Sequence, residues 1–168
     1  MNDVRIGLGY DSHRFEAGRR LVLGGVEFPG ETGLKGHSDA DVLIHAVIDA
    51  ILGAAALGDI GSRFPDTAAR WRGADSAQLL ATVVAEAKAA GWTVGNVDAT
   101  VICERPKIGP RVAEIRRRLA ELLWPDDAEA GFARVSVKGK TNERMDDVGA
   151  GLGIEVHAVC LLRKGKEK

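Results

Sequence analysis

The stretch Ile6 to Phe15, IGLGYDSHRF, sets an acid, Asp11, and an imidazole, His13, two residues apart at the end of an apolar run. In an extended strand, side chains i and i+2 share a face, so these two can aim at one point. Further on, GHSDADVLIHA places His37, Ser38 and His45 around the start of an apolar helical pattern, with Asp41, His45 and Asp49 spaced by four as a polar stripe. A strand-borne Asp and His plus a helix-borne His form an N/O donor set that suits tetrahedral Zn²⁺ with the fourth position open, as in catalytic rather than structural sites. Asp49, one turn beyond His45, is placed to orient its imidazole. The alternative is a solvated strand end and a structural histidine. The conjunction, in a chain with only 4 histidines, favours the metal. His157, alternating in IEVHAV, is assigned a structural role.

Two further segments have the chemistry of phosphate binding. His37 and Ser38 lie just before the helix, where free N–H groups and the positive end of the dipole attract an anion, although Ser38 also reads as a simple cap. KGKTNER follows a β-rich run and offers Lys140 and Thr141 as donors and Glu143 as a hard oxygen ligand for Mg²⁺ or Mn²⁺. A polar turn is the other reading. The glycines at 149, 151 and 153 precede a strand pattern rather than a helix, so they are not a dinucleotide fingerprint.

These groups need elements to hold them. Val4 to Tyr10 reads as a strand, and RRLVLGGVEFPG as a hairpin turning at Gly24-Gly25. Ser38 is the expected N-cap of the next helix, with Asp41 at N3 in a capping-box arrangement. That helix buries Val42, Ala46, Val47, Ala50, Ile51 and Ala54 and stops at Gly58. DIGSRFPDTAARWRGAD reads as a long loop. Asp75 caps a second helix that runs to about Ala90, VDATVICE is a strand, and Pro110 opens a third helix. Residues 124–131 read as an acidic linker, FARVSVKGK and GIEVHAVCLLR as the last strands, and RKGKEK as a solvated tail. The order predicts one α+β domain over residues 1–168, with helices on one face of a mixed sheet of four or five strands.

Composition narrows the function. The 23 basic and 24 acidic residues leave a net charge of −1, so there is no whole-chain field for nucleic acid or an anionic membrane. Arg116–Arg118 reads as a solvated helix face. Cys103 and Cys160 belong to no CxxC pair and read as buried thiols of a reducing compartment. The start of the chain has no signal-peptide pattern, and no apolar run reaches the length of a membrane span, so a cytoplasmic location is expected.

The segments GYDSHRF, LGGVEFP, GLKGHSDADVLIHAVIDAILGAAALGDIGSRFPDT, GADS, GNVDATVICERPKIGP and VSVKGKTNE closely resemble the 2-C-methyl-D-erythritol 2,4-cyclodiphosphate synthase family. The resemblance runs over nearly the whole chain, and its HSDADVLIHA…GDIG…FPDT block is highly specific. Composition and spacing alone reach only a metal-assisted phosphate site. The resemblance implies a ferredoxin-like or chorismate-mutase-like α+β fold and a homotrimer with each site between two subunits. It implies zinc on Asp11, His13 and His45, and phosphate contacts from His37 and Ser38. The ribose would be held by Asp59 and Gly61 and the methylerythritol hydroxyls by Asp66. Cytosine would sit by Cys103 and the segment Pro106, Lys107, Ile108 and Gly109. Lys140 and Thr141 would face the diphosphate and Glu143 a second ion, Mg²⁺ or Mn²⁺; His37 and Thr141 are the expected catalytic groups.

The implied reaction converts 4-diphosphocytidyl-2-C-methyl-D-erythritol 2-phosphate to the 2,4-cyclodiphosphate and CMP. The sequence departs from the family pattern at Ala68, where a second loop Asp is frequent, and at Lys140, where a smaller residue is usual. It departs again at Asp147, Ala150 and Leu152, where the family has Phe, Arg and Glu. None of these belongs to the zinc set. With no guanidinium at 150 and a carboxylate at 147, binding of an isoprenoid diphosphate in the trimer's axial cavity is expected to be weak or absent. Two other classes stay open at this point: a metal-dependent phosphohydrolase on the same three ligands, and a trimeric binding module without turnover.

Overall fold

A computed structural model describes residues 3–165. The main sheet has four strands in the order β1 (Val4–Arg14), β6 (Gly153–Lys164), β4 (Trp92–Ile102), β5 (Val135–Lys140). β6 runs antiparallel to both β1 and β4, while β4 and β5 are parallel. A parallel pair needs a crossover. Here α4 (Val112–Leu123) and α5 (Ala128–Phe132) supply it between β4 and β5. A separate two-stranded hairpin, β2 (Val22–Leu23) with β3 (Val26–Glu27), turns at Gly24 and Gly25, both at positive φ. The mixed sheet thus has four strands, the lower of the two expected numbers.

Helix α1 (Val42–Ala55) is the centre of the core. Nearly all of it is buried, because it packs on β1 and β6 on one side and on α3 (Ser76–Ala89) on the other. Its N-cap is Asp41, not Ser38: the Asp41 carboxylate accepts from Ile44 N–H at 3.0 Å. The same carboxylate accepts the Gly24 and Gly25 N–H groups of the hairpin turn at 2.9 and 2.6 Å, which locks β2–β3 onto the helix start. Ser38 instead accepts from Ala40 N–H, closing a local turn. The helix ends before Gly58: Ala56 takes the left-handed conformation at φ 57°, with its N–H bonded back to Gly53 and Leu52 carbonyls.

Other boundaries differ from the sequence reading for local reasons. β1 continues through Asp11 and His13 because every residue to Arg14 finds a partner on β6. The loop after α1 holds a short helix, α2 (Ile60–Arg63), and a 3₁₀ turn at Ala69–Trp71. Most of α5 falls in the expected acidic linker, and a 3₁₀ turn at Gly109–Arg111 precedes α4. Arg116 is not a solvated group, since its guanidinium donates to the carbonyls of Val135 (2.7 Å) and Phe132 (3.0 Å), tying α4 to α5 and β5. Arg163 and Lys164 belong to β6, and residues 166–168 of the expected tail lie outside the described residues.

The helices cover one face of the sheet. The other carries Ile6, Leu8, Tyr10 and Val159, exposed by 71, 67, 48 and 42%, with Leu161 beside them. His157 lies on this outer face, where it packs on Tyr10 with ring centroids 5.0 Å apart. No helix among the described residues is long and apolar enough to cross a membrane.

Candidate metal and phosphate site

Asp11 and His13 sit on the helix-facing side of β1, in line with Gly7 and Gly9. Those glycines let α1 lie directly on the strand backbone: a Cβ on Gly9 would stand 1.8 Å from the Ala46 carbonyl oxygen, and one on Gly7 1.9 Å from that of Ala50. The close approach brings His45, on the first turn of α1, against the strand end. Asp11 Oδ2 lies 3.0 Å from His13 Nε2 and 3.0 Å from His45 Nδ1, and the two ring nitrogens are 3.3 Å apart.

This triangle fits a metal. With M–N and M–O bonds of about 2.0–2.1 Å, the edge of a tetrahedron of zinc ligands is about 3.3 Å. One carboxylate oxygen and two imidazole nitrogens already converge at nearly that spacing, and the fourth corner opens on a cavity of about 400 Å³. The electrostatics agree. Burial alone would raise the Asp11 carboxyl, but hydrogen bonds and charge from His13 and His45 outweigh it and hold the group well below the usual carboxylate range. Burial pulls His13 down, and the Asp11 carboxylate, helped by the Lys35 backbone and by Asp41, more than reverses this, so His13 is raised above an ordinary histidine. Asp11 therefore stays ionised at the centre of the triangle, as a metal ligand must.

The cavity beside the triangle is lined by His37, Ser38, Gly61 and Asp66, with Ile60, Phe64, Trp71 and Leu79 forming an apolar wall. His37 Nε2 and Trp71 Nε1 are buried there without a hydrogen-bond partner among the described residues. Phe64 and Trp71 meet edge to face at 5.1 Å. The loop bearing Trp71 is tied to the histidine motif by Gly73 N–H to His37 O (2.8 Å) and Asp39 N–H to Ala74 O (3.1 Å). Asp59 caps α2 in a reciprocal capping box with Ser62, its Oδ1 accepting Ser62 N–H at 2.8 Å.

Asp49 does not orient His45. Its Oδ1 accepts from Ile60 N–H at 2.7 Å, anchoring the start of α2 to α1, and burial raises its carboxyl above the ordinary value. The groups that touch His45 on its far side are Ser76 and Ser38, with Nε2 2.9 Å from Ser76 Oγ and 3.2 Å from Ser38 Oγ. From the sequence, the GADS segment yields the cap Asp75 and part of the family resemblance, but not the roles of Ser76, Asp39 or Trp71. The polar Ser at the first helical position, in a chain segment otherwise heading into the core, was the available signal.

A second cavity of about 400 Å³ gathers the other sequence-identified residues: Cys103, Pro106, Lys107, Ile108 and Gly109 with Lys140, Thr141 and Glu143. Thr141 Oγ1 donates to Glu143 Oε1 at 3.0 Å. Cys103 N–H donates to Lys140 O at 3.0 Å, so strand ends β4 and β5 bring the two segments together. Within one chain this cavity shares no lining residue with the metal cavity. Asp147 and Leu152 line a third cavity, of about 610 Å³, with Arg14, Lys35 and Glu155.

Comparison with known proteins agrees with this geometry. The chain is 52% identical over 162 residues to the 2-C-methyl-D-erythritol 2,4-cyclodiphosphate synthase of Neisseria gonorrhoeae (strain ATCC 700825 / FA 1090), covering 96% of this chain and 98% of that one. It is 56% identical over 159 residues to the bifunctional enzyme IspD/IspF of Anaeromyxobacter sp. (strain Fw109-5), where it covers 95% of this chain but spans only 40% of the relative's length. A solved CDP complex of IspF from Plasmodium falciparum superposes with a TM-score of 0.83 at 33% identity, over 99% of both chains. The family model described as the YgbB family matches residues 4–163, and the chain belongs to that family.

Proposed function

We propose that this chain is a 2-C-methyl-D-erythritol 2,4-cyclodiphosphate synthase, converting 4-diphosphocytidyl-2-C-methyl-D-erythritol 2-phosphate to the cyclic 2,4-diphosphate and CMP in the non-mevalonate route to isoprenoid precursors. The observation that carries it is the convergence of Asp11 Oδ2, His13 Nε2 and His45 Nδ1 within 4.8 Å of one another, beside a cavity of phosphate- and hydroxyl-binding groups. In this reading Zn²⁺ rests on Asp11, His13 and His45, and Glu143 serves a second ion, Mg²⁺ or Mn²⁺, on the substrate diphosphate.

The chemistry needs no protein nucleophile. An oxygen of the substrate's own 2-phosphate forms a new bond to the β-phosphorus, the bond from that phosphorus to the bridging oxygen breaks, and CMP departs with that oxygen. Bound to Asp11, His13 and His45 on one side and to Glu143 on the other, the two ions would neutralise the oxygen charge that builds on the diphosphate. The protein's part is positioning. His37 and Ser38 offer donors to phosphate on the metal side, Asp66 faces the sugar-alcohol hydroxyls, and Lys140 and Thr141 hold the diphosphate. Gly61 with Asp59 at the α2 start meets the ribose, and the backbone and side chains of Cys103 and residues 106–109 enclose the base.

The site is shared between subunits of a homotrimer. Two facts support this: the metal cavity and the nucleotide cavity have no lining residue in common within one chain, and the outer sheet face leaves Ile6, Leu8, Tyr10 and Val159 uncovered. Buried free thiols at Cys103 and Cys160 suit the cytoplasm.

Product analysis tests the reading. Phosphorus NMR of the reaction with the cytidyl substrate is expected to show CMP and a cyclic product with two mutually coupled phosphorus signals, and reaction in ¹⁸O-water is expected to leave both unlabelled. Inorganic phosphate carrying the label would identify a hydrolase instead.

A further inference from the structure

The far side of His45 ends in a hydrogen-bond chain. Its Nε2 lies 2.9 Å from Ser76 Oγ, and Ser76 Oγ in turn donates to Asp39 Oδ1 through a short contact. The second oxygen of Asp39 accepts the Ser76 backbone N–H at 3.0 Å, so the carboxylate grips that residue twice. Ser76 is fully buried, on the first turn of α3, and Asp39 is half-buried.

The direction of the chain follows from what each group can do. An ionised carboxylate only accepts, so the single proton of the Ser76 hydroxyl goes to Asp39. The hydroxyl oxygen is then left as an acceptor, and His45 Nε2 must be the donor. A neutral imidazole protonated on Nε2 carries its free lone pair on Nδ1. Nδ1 is the nitrogen that faces Asp11 Oδ2 and His13 Nε2, so it is the one a metal would take in place of its hydrogen bond to Asp11.

We infer that Ser76, held by Asp39, is a positioning residue that fixes the tautomer and ring orientation of His45, so that Nδ1 is ready for the metal. The inference rests on the metal reading of Asp11, His13 and His45. The arrangement has the form of a carboxylate acting on a metal-binding histidine through one hydroxyl. It also frees Ser38: with Ser76 taking the Nε2 proton and Ala40 N–H donating to Ser38 Oγ at 3.1 Å, the Ser38 hydroxyl proton is available to a ligand oxygen in the cavity.

The test is metal affinity together with a direct view of the ring. Zinc competition with a chromophoric chelator on the intact protein is expected to show Ser76→Ala binding zinc roughly 10- to 100-fold more weakly than wild type, the range seen when such partners are removed. Asp39→Asn, which keeps the shape but not the charge, should fall between them. Long-range ¹H–¹⁵N spectra of the zinc-loaded wild-type protein, in which the metal rather than a proton occupies Nδ1, are expected to show a His45 Nε2 proton protected from exchange by its bond to Ser76 Oγ. In zinc-loaded Ser76→Ala the same proton should exchange rapidly with water. Equal zinc affinity in Ser76→Ala and wild type, or an unprotected His45 Nε2 proton in the zinc-loaded wild type, overturns the inference. A wild-type protein that binds no zinc overturns the metal reading itself, and is told apart by that fact. If Ser76→Ala does not fold, the wild-type spectrum and Asp39→Asn decide.

Discussion

Gly9 lies so close beneath Ala46 that a Cβ on the glycine would stand 1.8 Å from the Ala46 carbonyl oxygen. That distance is impossible for real atoms, and both partners are backbone, so α1 itself must lift from β1 to admit a side chain. Gly9→Ala is therefore expected to cost about 3 kcal/mol or more, at the upper end of overpacking. Because His45 adjoins Ala46, the lift also moves its ring away from Asp11. Denaturant unfolding and zinc affinity should fall together in this variant. Unchanged unfolding would show that the strand and helix are not clamped as described.

A second expectation concerns the buried thiols. Burial pushes Cys103 up to about 11 and Cys160 up to about 12, against 9.0 for an ordinary thiol. Both should resist iodoacetamide in the native protein at about pH 8 and react when it is unfolded, since only the thiolate is the nucleophile. The sign of the pH effect follows. Above about pH 9 the unfolded chain gives up these protons while the native chain keeps them, so stability falls as pH rises, by on the order of 1 kcal/mol per pH unit per thiol. Urea unfolding from about pH 8 to 10 measures it, and Cys160→Val should flatten the slope. A slope unaffected by the substitution contradicts the burial argument.

Sharing of the site between subunits makes a numerical prediction. His13→Ala removes the metal half and Glu143→Ala the nucleotide half, so each alone is expected to be inactive. If each site of the proposed trimer draws its two halves from different chains, roughly a quarter of sites in randomly mixed trimers should be whole. Activity near a quarter of wild type is the expected result. Mixed trimers no better than either parent would place both halves in one chain.

Much of this arrangement was legible in the sequence, and the parts that were not have physical reasons. Period-two and period-four spacing placed Asp11, His13 and His45 on converging faces, and the structure brings them together. The same spacing assigned Asp49 to His45 wrongly, because periodicity says which residues share a face but not where each carboxylate finds its donor. Asp49 turned to the free N–H of Ile60, a group created by a short helix, α2, that no pattern of so few residues can announce. The cap of α1 moved from Ser38 to Asp41 for a similar reason. The Asp41 carboxylate also satisfies two N–H groups of a hairpin distant in sequence. The apolar outer face was hidden in the alternation of β1, which reads the same whether its second face meets water or another subunit.

The account stands or falls on the Asp11–His13–His45 centre, and His45→Ala tests it most directly. Elemental analysis and turnover of the purified protein are measured together, with circular dichroism to confirm the fold. Wild type should carry about one zinc per chain. The account predicts that His45→Ala keeps its fold, loses most of the bound zinc and nearly all CMP formation. A variant that still holds about one zinc per chain and still forms CMP would contradict it.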